Sequence, residues 1–250
     1  MYRKYSLFAV LALTFGFVVG QEKEPTKPEA TEIYEPVPPK VVPGKNGAAP
    51  SDAIVLFDGT NFDEWISSED STAVKWNLNK DGSMTVKDKT GNIQTKRNFG
   101  SFQLHLEWKS PAEVQRDGQN RANSGVFFQR RYEVQILDNN DNATYVNGQV
   151  GSVYKQSVPA AMASVPSGEW NTYDIIYHAP TFTRGNMTTP ATVTVLHNGV
   201  LVQDHFVLEG TTEYIGWPKY KAHGKAPLML QDHKDNSRVS FRNIWVRELD

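Results

Sequence analysis

Glu133 and Gln135 stand two residues apart in the run YEVQILD, and a strand places them on one face, a carboxylate and a primary amide about one pleat repeat apart. Such a pair can grip a polyhydroxy ligand through several hydrogen bonds. A second polar cluster, Gln231-Asp232-His233, follows the apolar run APLML. If the alternation of Leu228 and Leu230 continues, Gln231 and His233 face one way and Asp232 the other. An imidazole beside a carboxylate can carry a proton near neutral pH, since its ordinary pKa is about 6.5. The plainer alternative for both clusters is an exposed sheet face without a role, because exposed polar residues need no functional explanation.

Other patterns narrow the chemistry. Asp138, Asn140 and Asn142 alternate like the opening of a calcium loop, but Ala143 stands where the sharp turn needs glycine and Gln149 where a bidentate glutamate belongs. This argues against an EF-hand; a divalent cation bound otherwise in these loops stays open, and no cofactor is called for. The histidines include no pair at the spacing that fixes zinc on one helix. Sandwich glycosidases of the laminarinase type carry Glu-x-Asp-x-Glu on one strand, where this chain has Glu133-Val-Gln135-Ile-Leu-Asp138. A second carboxyl at the usual place is missing, which weakens an ordinary oxocarbenium mechanism. Nucleophile elbows, phosphate loops and Cys-x-x-Cys pairs are absent from the sequence.

The elements that must position these residues read as strands. Tyr132, Val134 and Ile136 form an apolar face opposite Glu133 and Gln135, within the longer stretch NSGVFFQRRYEVQILD from Asn123 to Asp138. In SFQLHLEWKS, Phe102, Leu104, Leu106 and Trp108 face inward while Gln103, His105, Glu107 and Lys109 face water. Lys80-Asp81-Gly82 and Asn198-Gly199 mark hairpins, and a parity shift between Phe241 and Ile244 predicts a bulge near Arg242-Asn243. Beyond Ala53 no segment keeps a helical period for more than about two turns, and the expected fold is an all-β, two-sheet antiparallel sandwich.

The 250 residues are 39% hydrophobic and 22% charged, enough for one large domain. A formal charge of -2 with both signs interleaved points to neither nucleic acid nor a polybasic membrane contact. Arg3 and Lys4 precede the apolar run Leu7–Val19, which is shorter than the ~20 residues a bilayer needs and reads as a signal peptide over residues 1–20. The protein is therefore expected to be exported, periplasmic or secreted, with no membrane contact after cleavage. Residues 21–52, rich in Pro, Glu and Lys, read as a linker, and 53–250 as the folded domain. With no cysteine there is neither a disulfide framework nor a lipidation site of the bacterial lipoprotein kind.

Taken in order, LFDGTNFDEW, NSGVFFQRRYEVQILD, GSVY, GEWNTY, HNGVLV and LQDHKDNSRVSFRNIWV resemble the successive motifs of the 3-keto-disaccharide hydrolase family over about residues 53–249. The resemblance implies a concanavalin-like jelly roll of exported bacterial proteins, acting on glycosides whose ring a separate dehydrogenase has oxidised at carbon 3. A ketone there acidifies the hydrogen on carbon 2, so a base can remove it and the aglycone can leave from carbon 1 before water adds. Carried over by motif, Glu133, His233 and Asp138 are the catalytic candidates, with the division into base and acid open. Gln135, Gln231 and Asn123 would orient hydroxyls or the carbonyl, with Asp232 beside them. Tyr154 and Trp65 would offer apolar faces to a sugar ring, although Trp65, Asn123 and Trp170 can equally be signatures of the fold. Two further readings stand beside the enzyme: a non-catalytic carbohydrate-binding sandwich, and a structural accessory domain tethered by residues 21–50.

Overall fold

The computed structural model describes residues 24–250, and the expected signal peptide at 1–20 lies outside the described residues. Residues 24–40 form a unit of their own with one 3-10 turn, Pro28–Thr31, and bury no side chain. Among the described residues no helix is long and apolar enough to cross a membrane.

The second unit, Val41–Asp250, is built from strands. In chain order these are β1 (Ile54–Phe57), β2 (Trp65–Ser67), β3 (Asn77–Leu78), β4 (Met84–Thr85), β5 (Ile93–Thr95), β6 (Phe102–Lys109), β7 (Ser124–Phe128) and β8 (Tyr132–Ile136). The chain continues through β9 (Asn171–His178), β10 (Thr181–Thr183), β11 (Asn186–Thr189), β12 (Thr192–His197), β13 (Val200–Val207), β14 (Met229–Leu230) and β15 (Ser240–Glu248). One large sheet has the order β13-β12-β9-β6-β15-β4-β3, with β1 also on β15; the second large sheet runs β2-β5-β14-β7-β8, and β10 and β11 pair as a separate two-stranded ribbon. Every pairing is antiparallel, and the fold is a two-sheet sandwich of the concanavalin-like jelly-roll kind.

Alternation drives this assembly. Phe102, Leu104, Leu106 and Trp108 are buried from β6, and Tyr132, Val134 and Ile136 from β8. The sheets meet through aromatic contacts, Phe102 against Phe128 at 5.5 Å and Phe128 against Tyr177 at 4.8 Å between ring centroids. Burying such a ring contributes about 1.5–3 kcal/mol. Polar ends of core rings are also satisfied across the sandwich: Tyr173 Oη donates to the Gln135 carbonyl at 2.7 Å. Both hairpins form, with Asn198 and Gly199 at φ 51° and 77° as a two-residue turn of the primed kind requires. The register of β15 on β6 shifts between Arg242 and Trp245, where Asn243 takes φ 48°, so the predicted bulge is present.

The outer face of β6 departs from expectation. His105 and Glu107, predicted to face water, are 4% and 9% exposed. The covering comes from the Pro-rich segment after Val41: the Gly47 carbonyl accepts from Trp245 Nε1 at 2.8 Å and Asn243 Nδ2 at 3.0 Å, and His105 stacks on Trp245. Glu107 accepts from Arg242 Nε at 2.6 Å and Asn243 Nδ2 at 2.9 Å. The compact unit thus begins ahead of the expected boundary at Ala53, because the Gly47 carbonyl satisfies two donors on the sheet.

Candidate functional site

Short strands in exact register would be needed to gather side chains from residues a hundred positions apart, and the five-stranded sheet supplies them. On β7 and β8, Gly125 faces Gln135 and Phe127 faces Glu133; on β14, Met229 faces Phe127. Pairing continues beyond β14, since the Gln231 N–H donates to the Gly125 carbonyl at 3.1 Å. Paired residues point to the same face of a sheet, so Asn123, Phe127, Glu133, Gln135, Gln231 and His233 all emerge on the side opposite the core. They line one cavity of about 300 Å³ with Tyr154, Thr212 and Tyr214.

Gly125 makes room for this row. A Cβ at this position would overlap the Glu133 carboxyl, so glycine is what lets the acid lie flat across β7. Glu133 itself is held on both sides: its N–H donates to Thr212 Oγ1 at 3.0 Å and its carbonyl accepts from the Tyr154 N–H at 3.2 Å. The Gln135 amide is enclosed, one end 2.9 Å from the Ser124 carbonyl oxygen and 3.3 Å from Glu133 Oε1, the other 3.0 Å from Gln119 Oε1 and 3.3 Å from the Gly148 carbonyl oxygen.

Glu133 is only 5% exposed, and burial pushes its pKa up from 4.5 to about 8. The folded state therefore keeps a proton that the unfolded chain releases between those values. Stability from this group is full below pH 4.5 and declines as pH rises toward 8. Comparing denaturant unfolding of the native protein and Glu133→Gln at pH 5 and pH 9 isolates the effect. The native protein should lose a few kcal/mol more than the variant over that range, since each tenfold change in proton affinity corresponds to about 1.4 kcal/mol. Equal losses would show that Glu133 titrates normally.

His233 enters from the other side of the cavity with 31% of its side chain exposed, and its Nδ1 lies 3.0 Å from Asp235 Oδ2. A proton held on Nδ1 by that carboxylate leaves Nε2 as the acceptor. The amide oxygens of Asn123 and Gln231 are buried without a protein partner, while Asn123 Nδ2 is fixed by the Gln119 carbonyl at 2.7 Å. Buried polar atoms left open in a cavity are what a hydroxylated ligand would satisfy. Tyr154 closes one wall, its hydroxyl 2.5 Å from that of Tyr145.

Three expected site residues lie elsewhere. Asp138, a catalytic candidate on sequence grounds, is 2% exposed and lies outside the lining of the cavity. Its carboxylate accepts from Ser110 Oγ (2.6 Å), Ser167 Oγ (2.5 Å) and Arg121 Nε (3.3 Å), so it ties three loops together. Asp232 points away from His233, as alternation requires, and accepts from the Thr90, Gly91 and Lys234 N–H groups, each at 3.0 Å. Trp65 is a core residue whose Nε1 donates to the Leu56 carbonyl at 2.7 Å. Asn142, one of the residues alternating like the opening of a calcium loop, bonds both backbone groups of Gly118. Among the described residues no three His, Asp or Glu side chains converge as a metal site.

Phe127, Thr212, Tyr214 and Asp235 were missed. Phe127 was recoverable, since it shares parity with Gly125 on β7 and with Asn123 just before it. Thr212 and Tyr214 come from an irregular segment that no period announces, and Asp235 from a loop in which Lys234 and Asn236 take positive φ.

Comparison with known proteins adds three findings. The model of the 3-keto-alpha-glucoside-1,2-lyase-like domain matches residues 52–247. A candidate glycosyl hydrolase from Parabacteroides distasonis ATCC 8503, of known crystal structure, is 53% identical, with 89% of this chain and 97% of that one covered and a TM-score of 0.86. A second such protein from the same organism is 22% identical over 80% of this chain and 94% of its own, with a TM-score of 0.60, a likeness of fold. Among curated proteins none matches the chain.

Proposed function

Because the chain belongs to the family of 3-keto-alpha-glucoside-1,2-lyase-like domains and is a glycosyl-hydrolase-like, carbohydrate-active protein, we propose that it cleaves glycosides already oxidised to a ketone at carbon 3. The observation that carries this reading is one cavity lined by both a carboxyl that burial keeps protonated and an imidazole oriented by its own carboxylate.

In this reading His233 Nε2 removes the proton on carbon 2, which the adjacent ketone acidifies. The electron pair forms the double bond between carbons 1 and 2 while the bond from carbon 1 to the leaving oxygen breaks. Glu133 gives its proton to that oxygen, and the aglycone departs as an alcohol. Water then adds to carbon 1 of the resulting enone; the Glu133 carboxylate takes a proton from it, and the part-exposed imidazolium, having exchanged its proton with solvent, protonates carbon 2. The sum is hydrolysis, with both groups restored. Asn123, Gln135 and Gln231 hold the ring hydroxyls and the ketone oxygen, where negative charge develops during proton removal.

The substrate is supplied by a separate dehydrogenase, since this scheme itself transfers no hydride. We place the reaction outside the cytoplasm on the strength of the apolar run Leu7–Val19. In deuterated water the protein should release aglycone from a 3-keto-glucoside and leave the unoxidised glucoside intact. The 3-keto-glucose formed should carry deuterium at carbon 2 faster than an enzyme-free control. Cleavage of the unoxidised sugar at a comparable rate, or product without enzyme-dependent deuterium, would rule the elimination out. A binding module would retain affinity for the keto form and release nothing.

A further inference from the structure

Across Tyr154 from the Glu133 cavity lies a second hollow of about 330 Å³, and Tyr154 lines both. The segment 212–218 divides them: Thr212 and Tyr214 face the first, while Glu213, Gly216 and Trp217 face the second. Gly216 takes φ 103°, a conformation that glycine adopts freely, and the chain turns there just before Trp217. Trp217 is 83% exposed, Ile215 82% and Tyr214 73%, a contiguous apolar patch of the kind that marks an interaction site.

The wall between the hollows is built rather than loose. Lys155 Nζ donates to the Tyr214 carbonyl at 2.6 Å and lies 4.5 Å from the Tyr214 ring, 5.6 Å from Tyr154 and 5.7 Å from Tyr145. An ammonium over three ring faces and the Tyr145–Tyr154 hydroxyl contact fix the aromatic groups relative to one another. The Tyr154 N–H is bonded to the carbonyl of Glu133, so this wall adjoins the acid that would protonate a leaving oxygen. Each hollow is at the small end of ligand sites and suits one ring.

We propose that the hollow bounded by Tyr145, Tyr154, Lys155 and Trp217 is the leaving-group subsite, taking an aglycone that carries a ring with a broad apolar face. This rests on the function proposed above. Such a ring stacks on Trp217 while hydroxyls at its edge meet Lys155 and Glu213. The face of a pyranose and that of an aryl group can both stack on Trp217, so the subsite favours two-ring 3-keto-glycosides over simple alkyl ones.

The test compares the native protein with Trp217→Ala on methyl 3-keto-glucoside, a 3-keto-disaccharide and an aryl 3-keto-glucoside. The quantity read is kcat/KM for each two-ring substrate divided by that for the methyl compound. The variant should lower this ratio about tenfold, the order of one stacking contact. A drop confined to the disaccharide identifies a sugar as the occupant, and one confined to the aryl compound identifies an aromatic ring. Ratios the same in both proteins would overturn the subsite. If the native protein turns over none of the three, the parent function fails, and calorimetric affinity for the two-ring compounds decides: weaker binding by the variant sustains the subsite and equal binding removes it.

Discussion

Glu133→Gln is expected to lower kcat on a 3-keto-glycoside with a poor leaving group by about 10²–10⁴-fold, the usual worth of a positioned acid or base. The amide keeps the shape of the side chain and can still meet Gln135, so the Michaelis constant should change little. What disappears is the proton held on Glu133 by burial. A leaving group that departs as a stable anion, such as nitrophenolate, needs no proton and should recover much of the first half-reaction. The decisive measurement is therefore the single-turnover rate of aglycone release, which reads the first half-reaction alone, for a series of aglycones of falling basicity. A loss of the same size for every aglycone would deny Glu133 the acid role.

Replacing His233 by Ala should cost a comparable 10²–10⁴-fold, to order of magnitude about the same as losing the acid, and abolish enzyme-dependent deuterium uptake at carbon 2. Since the imidazole is part-exposed at the cavity, added imidazole should restore some turnover. Asp235→Asn should act more mildly and differently. It removes the acceptor 3.0 Å from Nδ1, so the histidine loses its fixed tautomer and its charged partner. Its kcat should fall less than that of His233→Ala while enzyme-dependent deuterium uptake at carbon 2 persists, because the imidazole is misoriented and not lost. Continued deuterium uptake by His233→Ala would assign the base elsewhere.

The part of the site carried by regular strands was legible from parity alone. Glu133 and Gln135 on one strand, and Gln231 and His233 beyond another, project to one face because strand residues two apart must do so. That they share a cavity depended on β7 lying between them, which two-residue β14 and its pairing with Val126 and Phe127 arrange. Nothing local in the sequence announces such a pairing. Asp138 misled because a carboxylate after a strand looks the same whether it meets a ligand or two serines and an arginine. Trp65 misled because its indole finds a backbone carbonyl nine residues upstream, a contact of folding and not of recognition. The Pro-rich stretch after Val41 read as linker since it has no period, yet the Gly47 carbonyl needs none to accept hydrogen bonds from Trp245 and Asn243.

The opposition of faces on the five-stranded sheet has a bearing on how such proteins change. Val126, Phe128, Val134 and Ile136 look inward and hold the sandwich, while their immediate neighbours in sequence look out and do the chemistry. Selection on one set scarcely constrains the other. The floor of the pocket is in effect a rewritable panel on a fixed frame, where the range of sugars accepted can be revised one neighbour at a time without asking the scaffold to fold anew.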